Sequence, residues 1–284
     1  MAMSKHVAAV LSLDQRPPCP LCFAASRPRF RLAHGQTFKC ASDGCGLEFV
    51  WPQMSDAELS AAYTDLYYPQ SGHSPHLENT PDEDAVIFVE HIARHCRTLK
   101  GTHVLDYGCG RGTLLKACHG QGASVAGIEM DDVARQQAQQ LGAPVFSNLA
   151  ELREAQVPLF DCVILSTVVE HLRQPWEELA DIRTVMKMDG VIVVTAPNTD
   201  CLKSRLRRAR WDQRTNPTHL FHFNDRSLTA VLVRAGFHSV CPLPPILTYS
   251  THGFWRRSLQ RALGAFGLQG GLLHAASPIP IPPK

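Results

Sequence analysis

Three glycines at alternate positions constrain this chain more than any other feature. They stand in the run Val104-Leu105-Asp106-Tyr107-Gly108-Cys109-Gly110-Arg111-Gly112. Val104 and Leu105 read as a short buried strand. Glycines so placed let the backbone turn tightly and approach a ligand closely. In the stretch 113–120, Leu114, Leu115 and Cys118 recur with helical spacing. A helix N-terminus, with free N–H groups and a positive dipole end, therefore faces whatever the loop holds. Ser124 to Glu129 reads as a second strand that ends in a carboxylate. A carboxylate at that position can accept both hydroxyls of a ribose. The unit is a nucleoside site, but not of the dinucleotide type. G-x-G-x-x-G would require glycine at position 113, where the chain has Thr113.

Later segments repeat the alternation of strand and helix. Phe160 to Ser166 is an apolar strand, followed by Val168-Val169-Glu170-His171-Leu172 and a helix that begins at Pro175. Met188 to Asn198 is a turn and strand ending in Pro197-Asn198. Thr218-His219-Leu220-Phe221-His222-Phe223 and Ala235-Gly236-Phe237 come after it. Alternation of this kind argues for a parallel sheet with helices on both faces, with ligands at the carboxyl ends of its strands. In order and content, these segments resemble class I S-adenosylmethionine (SAM) methyltransferases from about residue 83 to residue 241.

That resemblance implies an α/β, Rossmann-like sheet, mostly parallel, with SAM as cofactor. Asp106, Gly108 and Gly110 would receive the methionine end and Glu129 the ribose. Met130 would lie against the adenine, and Ser166 would share the same rim. Transfer to an oxygen or carbon also needs a base, and histidine suits this near neutral pH. His171, His219 and His222 are the candidates, with His171 expected to act because it follows the fourth strand. The Glu170-His171 segment also resembles quinone-biosynthesis O-methyltransferases. Members of that group can have a further Glu three positions earlier, forming a metal site. This chain has Thr167 there, so no catalytic Mg²⁺ is expected.

Ahead of this domain, Cys19-Pro20-Leu21-Cys22 is followed after seventeen residues by Cys40, and four residues separate Cys40 from Cys45. Two close cysteine pairs suit one structural Zn²⁺ held by Cys19, Cys22, Cys40 and Cys45, with a hairpin between the pairs. The expected organisation is a zinc-ribbon-like module at 15–52, a linker and lid at 53–82, the methyltransferase domain at 83–245 and a C-terminal extension at 246–284. Tyr63, Tyr67, Tyr68 and the polar stretch 69–83 either cover the cleft or pack the module against the domain. In the extension, Phe254, Trp255, Leu259, Leu263 and Phe266 can share a helix face, and residues 278–284 read as a disordered end.

A net charge of +2 argues for no particular partner. Ten cysteines without a signal-peptide pattern, and no apolar run of membrane-spanning length, point to reduced thiols in the cytoplasm. The expected reaction is methylation of a small or carrier-linked metabolite at oxygen, with a sugar nucleotide, glycan precursor or secondary metabolite in first place. Lys203, Arg205, Arg207 and Arg208, just past the fifth strand, would suit a phosphorylated acceptor or remain a solvated face. The alternatives are a zinc-preceded rRNA guanine-N methyltransferase, a quinone-type O-methyltransferase and a SAM-binding protein without activity. The first is disfavoured by the chain's low net charge.

Overall fold

A computed structural model describes residues 16–67, 82–244 and 270–280. The helix expected around 254–266 and most of the polar stretch 69–83 lie outside these residues, as do Tyr68 and the last four positions.

Short apolar runs become the strands of a seven-stranded sheet. They are β4 (His103–Tyr107), β5 (Ser124–Ile128), β6 (Val145–Phe146), β7 (Phe160–Ser166), β8 (Met186–Pro197), β10 (His238–Pro242) and β11 (Gly271–Ser277). Their order is β10-β11-β8-β7-β4-β5-β6. β4, β5, β6, β7 and β8 run parallel, and β11 enters antiparallel between β8 and β10. β7 is buried along almost its whole length, which is why it reads as a continuous apolar run. Helices α3 (Thr113–Gly120), α4 (Asp132–Gln139), α5 (Leu149–Glu154), α6 (Pro175–Arg183) and α9 (Asp225–Arg234) connect the strands. α2 (Asp82–His95) precedes β4 and buries Ala85, Val89 and Ile92. The chain order reverses between β4 and β7, so a crevice opens at the carboxyl ends of these two strands.

The expected boundary at residue 245 does not match the edge of the sheet. β11 pairs with β8 from Gly271↔Pro197 to Ala276↔Ile192, deep inside it. Leu272, Leu273, Ala275 and Ala276 are all buried there. A short strand covered on both faces shows neither alternation nor length, and that hid it in the sequence.

The N-terminal segment forms β1 (Ser26–Leu32), β2 (Gly35–Cys40) and β3 (Glu48–Trp51), with the expected hairpin between the cysteine pairs. This module is not self-contained. Its sheet takes a fourth strand, β9 (Phe221–His222), from the methyltransferase region, where Phe49 pairs with Phe221 and Glu48 with His222. Leu21, Phe38, Leu47 and Phe49 share one apolar cluster with Trp176, Phe221, Phe223 and Leu228. Arg234 of α9 lies over Trp176 at 4.3 Å and donates to the carbonyl oxygens of Pro20 and Leu21. α1 (Asp56–Tyr67) starts at a capping box in which Ser55 and Glu58 bond each other's backbone N–H groups.

Candidate active site

The glycine loop leaves β4 at the floor of the crevice. Gly108 has φ +79°, and a Cβ there would meet Val168 Cγ2 at 2.5 Å, so only glycine fits. The Gly108 and Cys109 N–H groups both donate to the Ile128 carbonyl, at 2.8 and 2.9 Å, tying the loop to the end of β5. Among the described residues, nothing beyond its own chain neighbours lies within 4 Å of the space a Gly110 side chain would fill. Glu129, buried at the end of β5, accepts from Gly110 N–H and Asp131 N–H at 2.9 Å each. Asp131 caps α4 by accepting from Ala134 N–H at 2.8 Å. Met130 is 72% exposed beside this turn, as an adenine-facing side chain would be.

Asp106 is buried, and among the described residues neither of its carboxylate oxygens has a hydrogen-bond partner. Burial, helped by the nearby Glu129 charge, pushes its pKa up to about 7. A buried carboxylate in this state calls for a cation, which SAM provides. The loop, the orphaned Asp106 and the oriented Glu129 therefore fit this cofactor.

Across the crevice, β7 ends at Ser166, whose hydroxyl accepts from Thr195 Oγ1 at 3.4 Å. The following turn carries Glu170 and His171. His171 Nδ1 lies 3.1 Å from the Thr218 carbonyl, and its ring meets His219 edge-on at 4.6 Å between centroids. The Tyr63 ring from α1 stands edge-on to His171 at 5.8 Å. Arg173 secures α1 above this turn, with Nε 2.6 Å from Asp56 Oδ1 and a bond from its guanidinium to the Met54 carbonyl at 2.8 Å. Glu170, His171 and His219 bring one donor atom each to within 4.8 Å of one another. Glu170 is buried, and burial raises its pKa to about 8, whereas burial lowers that of His171 to about 4. His171 is half-buried and His219 buried, so His171 forms the open side of the cluster.

The three predicted histidines thus separate. His171 and His219 come together, while His222 lies in β9 opposite Glu48 in the N-terminal sheet. It is 2% exposed, and burial holds its pKa down at about 4. Beside it lies a feature that sequence reading missed. Arg214, fully buried, makes a two-pronged bond to Glu48, Nε to Oε1 at 2.7 Å and Nη2 to Oε2 at 3.1 Å. Desolvation opposes the Glu48 charge, but the Arg214 bond and the nearby cations outweigh it, and the carboxyl stays below its ordinary pKa. In the sequence, Arg214 looks like the tail of a basic run, 166 residues from its partner.

That run follows β8 as α7 (Leu202–Arg207) and a short 3₁₀ turn, Arg208–Arg210, before α8 (Asp212–Thr215), which holds Arg214. Lys203 pairs with Asp212 at 2.9 Å, and Arg205 donates to the Asp200 carbonyl. Lys203, Arg205, Arg207 and Arg208 are all exposed, and Arg208 lies 5.9 Å over the Phe30 ring of the module.

At the module's tip the four predicted cysteines converge, with all four sulfurs within 4.8 Å of one another. Cys19 and Cys45 are 3.8 Å apart and Cys22 and Cys40 3.4 Å. Tetrahedral Zn–S bonds of about 2.3 Å would set sulfurs roughly 3.8 Å apart. The donor set therefore fits a zinc ion.

A family described as a methyltransferase domain matches residues 87–241, more than half of the 284-residue chain. The chain belongs to that family. Its methyltransferase domain is built on a mixed, mostly parallel sheet. The methyltransferase is similar to the ubiquinone biosynthesis O-methyltransferase of Coxiella burnetii, 33% identical over 107 residues that make up 36% of this chain and 46% of that protein. With the Pasteurella multocida protein of the same name it shares 26% identity over 180 residues, 53% of this chain and 74% of the other. The chain spans about half the length of the first curated relatives it matches. Among solved structures, the plantazolicin methyltransferase BamL, in complex with a triazolic desmethylPZN analog and SAH, superposes with a TM-score of 0.54 at 15% identity, covering 78% of this chain and 96% of that one. A SAM-dependent methyltransferase from Mesorhizobium loti gives 0.50 at 16%, covering 69% and 100%. At these identities the structural likeness is one of fold. No helix among the described residues is long and apolar enough to cross a membrane.

Proposed function

We propose that this methyltransferase methylates a hydroxyl oxygen of a small or carrier-linked acceptor. The observation that carries the reading is the Glu170–His171–His219 cluster just beyond the carboxyl end of β7. A hydroxyl must lose its proton as it accepts the methyl group, whereas a neutral amine or a thiolate is already nucleophilic. Bound SAM supplies an electrophilic methyl group on a sulfonium centre. The residues of the chain do the rest. Asp106 answers the cofactor's positive charge, and Glu129 holds the ribose. Tyr63 and the braced start of α1 keep water from the rim, and His171 meets the acceptor and draws off its proton, with Glu170 and His219 behind it. Alignment and a dry site are the main demands of an in-line displacement.

The names of the curated relatives favour a quinone-type phenolic acceptor over a sugar nucleotide. The exposed Lys203, Arg205, Arg207 and Arg208 suit an anionic group on it. Zn²⁺ held by Cys19, Cys22, Cys40 and Cys45 acts as a structural clamp, since four thiolates leave no open position.

Extracts of a strain lacking this protein, incubated with purified enzyme and methyl-labelled SAM, test the reading. The expected product carries the label on one ether oxygen. His171→Ala should reduce its formation by ~10²–10⁴. Label on a nitrogen, or on RNA, would contradict the proposal.

A further inference from the structure

The last turn of α2 carries two histidines, His91 and His95. Residues four apart on a helix share one face. These two rings meet with centroids 4.4 Å apart and planes inclined at 42°. His91 is half-buried and His95 exposed. His91 bonds the carbonyl of Pro244, just beyond β10. Its Nε2 is shut off from solvent and has no hydrogen-bond partner among the described residues. The bond to Pro244 is therefore made by Nδ1, which carries the N–H, and Nε2 presents a lone pair. A buried lone pair of this kind calls for a donor or a cation. Burial and the neighbouring His95 hold His91 below the usual imidazole pKa, which keeps that lone pair unprotonated near neutral pH. Arg94 adds an opposing positive charge, but it is exposed and screened by solvent and salt.

We propose that His91 and His95 form a divalent transition-metal site on the last turn of α2, built from residues that neither the cysteine cluster nor the crevice uses. Imidazole nitrogens suit Zn²⁺, Ni²⁺ or Cu²⁺, whereas Mg²⁺ and Ca²⁺ prefer oxygen ligands. Metal-binding histidines are usually oriented by a hydrogen bond from the other ring nitrogen, and the Pro244 carbonyl plays that part for His91. The last turn is also the negative end of the helix dipole, which favours a cation there. Two protein donors leave the remaining positions to water, and the exposed His95 gives the ion its way in. Because His91 already reaches Pro244, an ion held by both rings braces the end of α2 against the chain that leaves β10. The site is independent of the reaction proposed above.

The test is calorimetric titration of the full-length protein with Ni²⁺ after saturation with Zn²⁺ and removal of the loosely held excess. The expected result is a Ni²⁺ site that a large excess of Mg²⁺ does not displace. His91→Gln and His95→Gln should each weaken it by about 10-fold or more, at least what loss of an outer-shell partner costs. His95 is exposed, so His95→Gln keeps the test valid if circular dichroism shows that His91→Gln unfolds. His119→Gln, which removes a lone exposed histidine at the end of α3, should bind Ni²⁺ as the wild type does. Ni²⁺ should also slow hydrogen exchange at the Cys96 amide, which bonds the Ile92 carbonyl at 2.9 Å in the same turn, and should not do so in His95→Gln. Absence of Ni²⁺ binding, displacement by Mg²⁺, unchanged affinity in His95→Gln, or an equal loss in His119→Gln would overturn the site.

Discussion

The two walls of the crevice are built in different ways. The cofactor wall is one stretch of chain, from Asp106 to Glu129, and its contacts are mostly backbone: Gly108 and Cys109 to Ile128, and Gly110 to Glu129. The wall proposed to meet the acceptor collects Tyr63, Glu170, His171 and His219 from three separate segments. It is steadied from outside by Arg173 on α1, by Arg234 on the cysteine knuckle and by Arg214 on Glu48. The first wall depends on local geometry. The second depends on the N-terminal module staying folded and docked. Perturbing the module should therefore disturb the acceptor side and leave cofactor binding nearly untouched.

Loss of the Zn²⁺ proposed at Cys19, Cys22, Cys40 and Cys45 should give the largest effect. Structural zinc in small finger peptides supplies apparent free energies of ~10–16 kcal/mol. Chelation, or Cys22→Ser, is expected to expose amides 16–51 and Phe221–His222 together to hydrogen exchange, because β9 is a strand of the module's sheet. Protection in β4 and β5 should persist. Exchange confined to the knuckles, with β9 still protected, would mean the module is a passive appendage.

Arg214→Ala comes next. It leaves the buried Glu48 charge without its two-pronged partner, and losses of this kind run to about 3–5 kcal/mol. Denaturant unfolding should show it, with Arg214→Lys intermediate because lysine cannot reproduce the fork. The pH dependence has a definite sign. Glu48 has a lowered pKa in the folded state, so its contribution is present above the ordinary carboxylate range and is lost as pH falls through the folded value. Arg214→Ala should flatten that acid-side decline. An unchanged slope would remove the ion pair from the account.

These effects follow the line between what could be read in the sequence and what could not. β7 was legible because a fully buried strand is a plain apolar run, and the α1 cap because Ser55 and Glu58 stand three residues apart. The cofactor wall was legible for the same reason, since its partners are close in sequence. The acceptor wall was legible only as separate histidines. Nothing local separates His219, which faces His171, from His222 three residues later, which joins the module's sheet. Glu48 and Arg214 meet only through tertiary packing. β11 carries no signal beyond Leu272, Leu273 and two alanines, and its place between β8 and β10 is decided by a pairing far from it in sequence.

A smaller effect sharpens the cofactor side. Burial holds Asp106 near pKa 7, and a cationic ligand favours its ionised form. SAM affinity should therefore weaken as pH drops below about 7, approaching tenfold per unit, with proton release on binding. Calorimetry in two buffers of different ionisation enthalpy measures that release. Asp106→Asn should abolish it.

The independence of the two walls is tested most directly by one set of SAM titrations, on the wild type, Glu129→Ala and His171→Ala, by calorimetry at neutral pH. Glu129→Ala should lose about 1.5–3 kcal/mol, the worth of a hydrogen bond to a charged group, or roughly 10- to 150-fold in affinity. His171→Ala should bind SAM as the wild type does. Equal loss in both variants, or none in Glu129→Ala, would contradict the account.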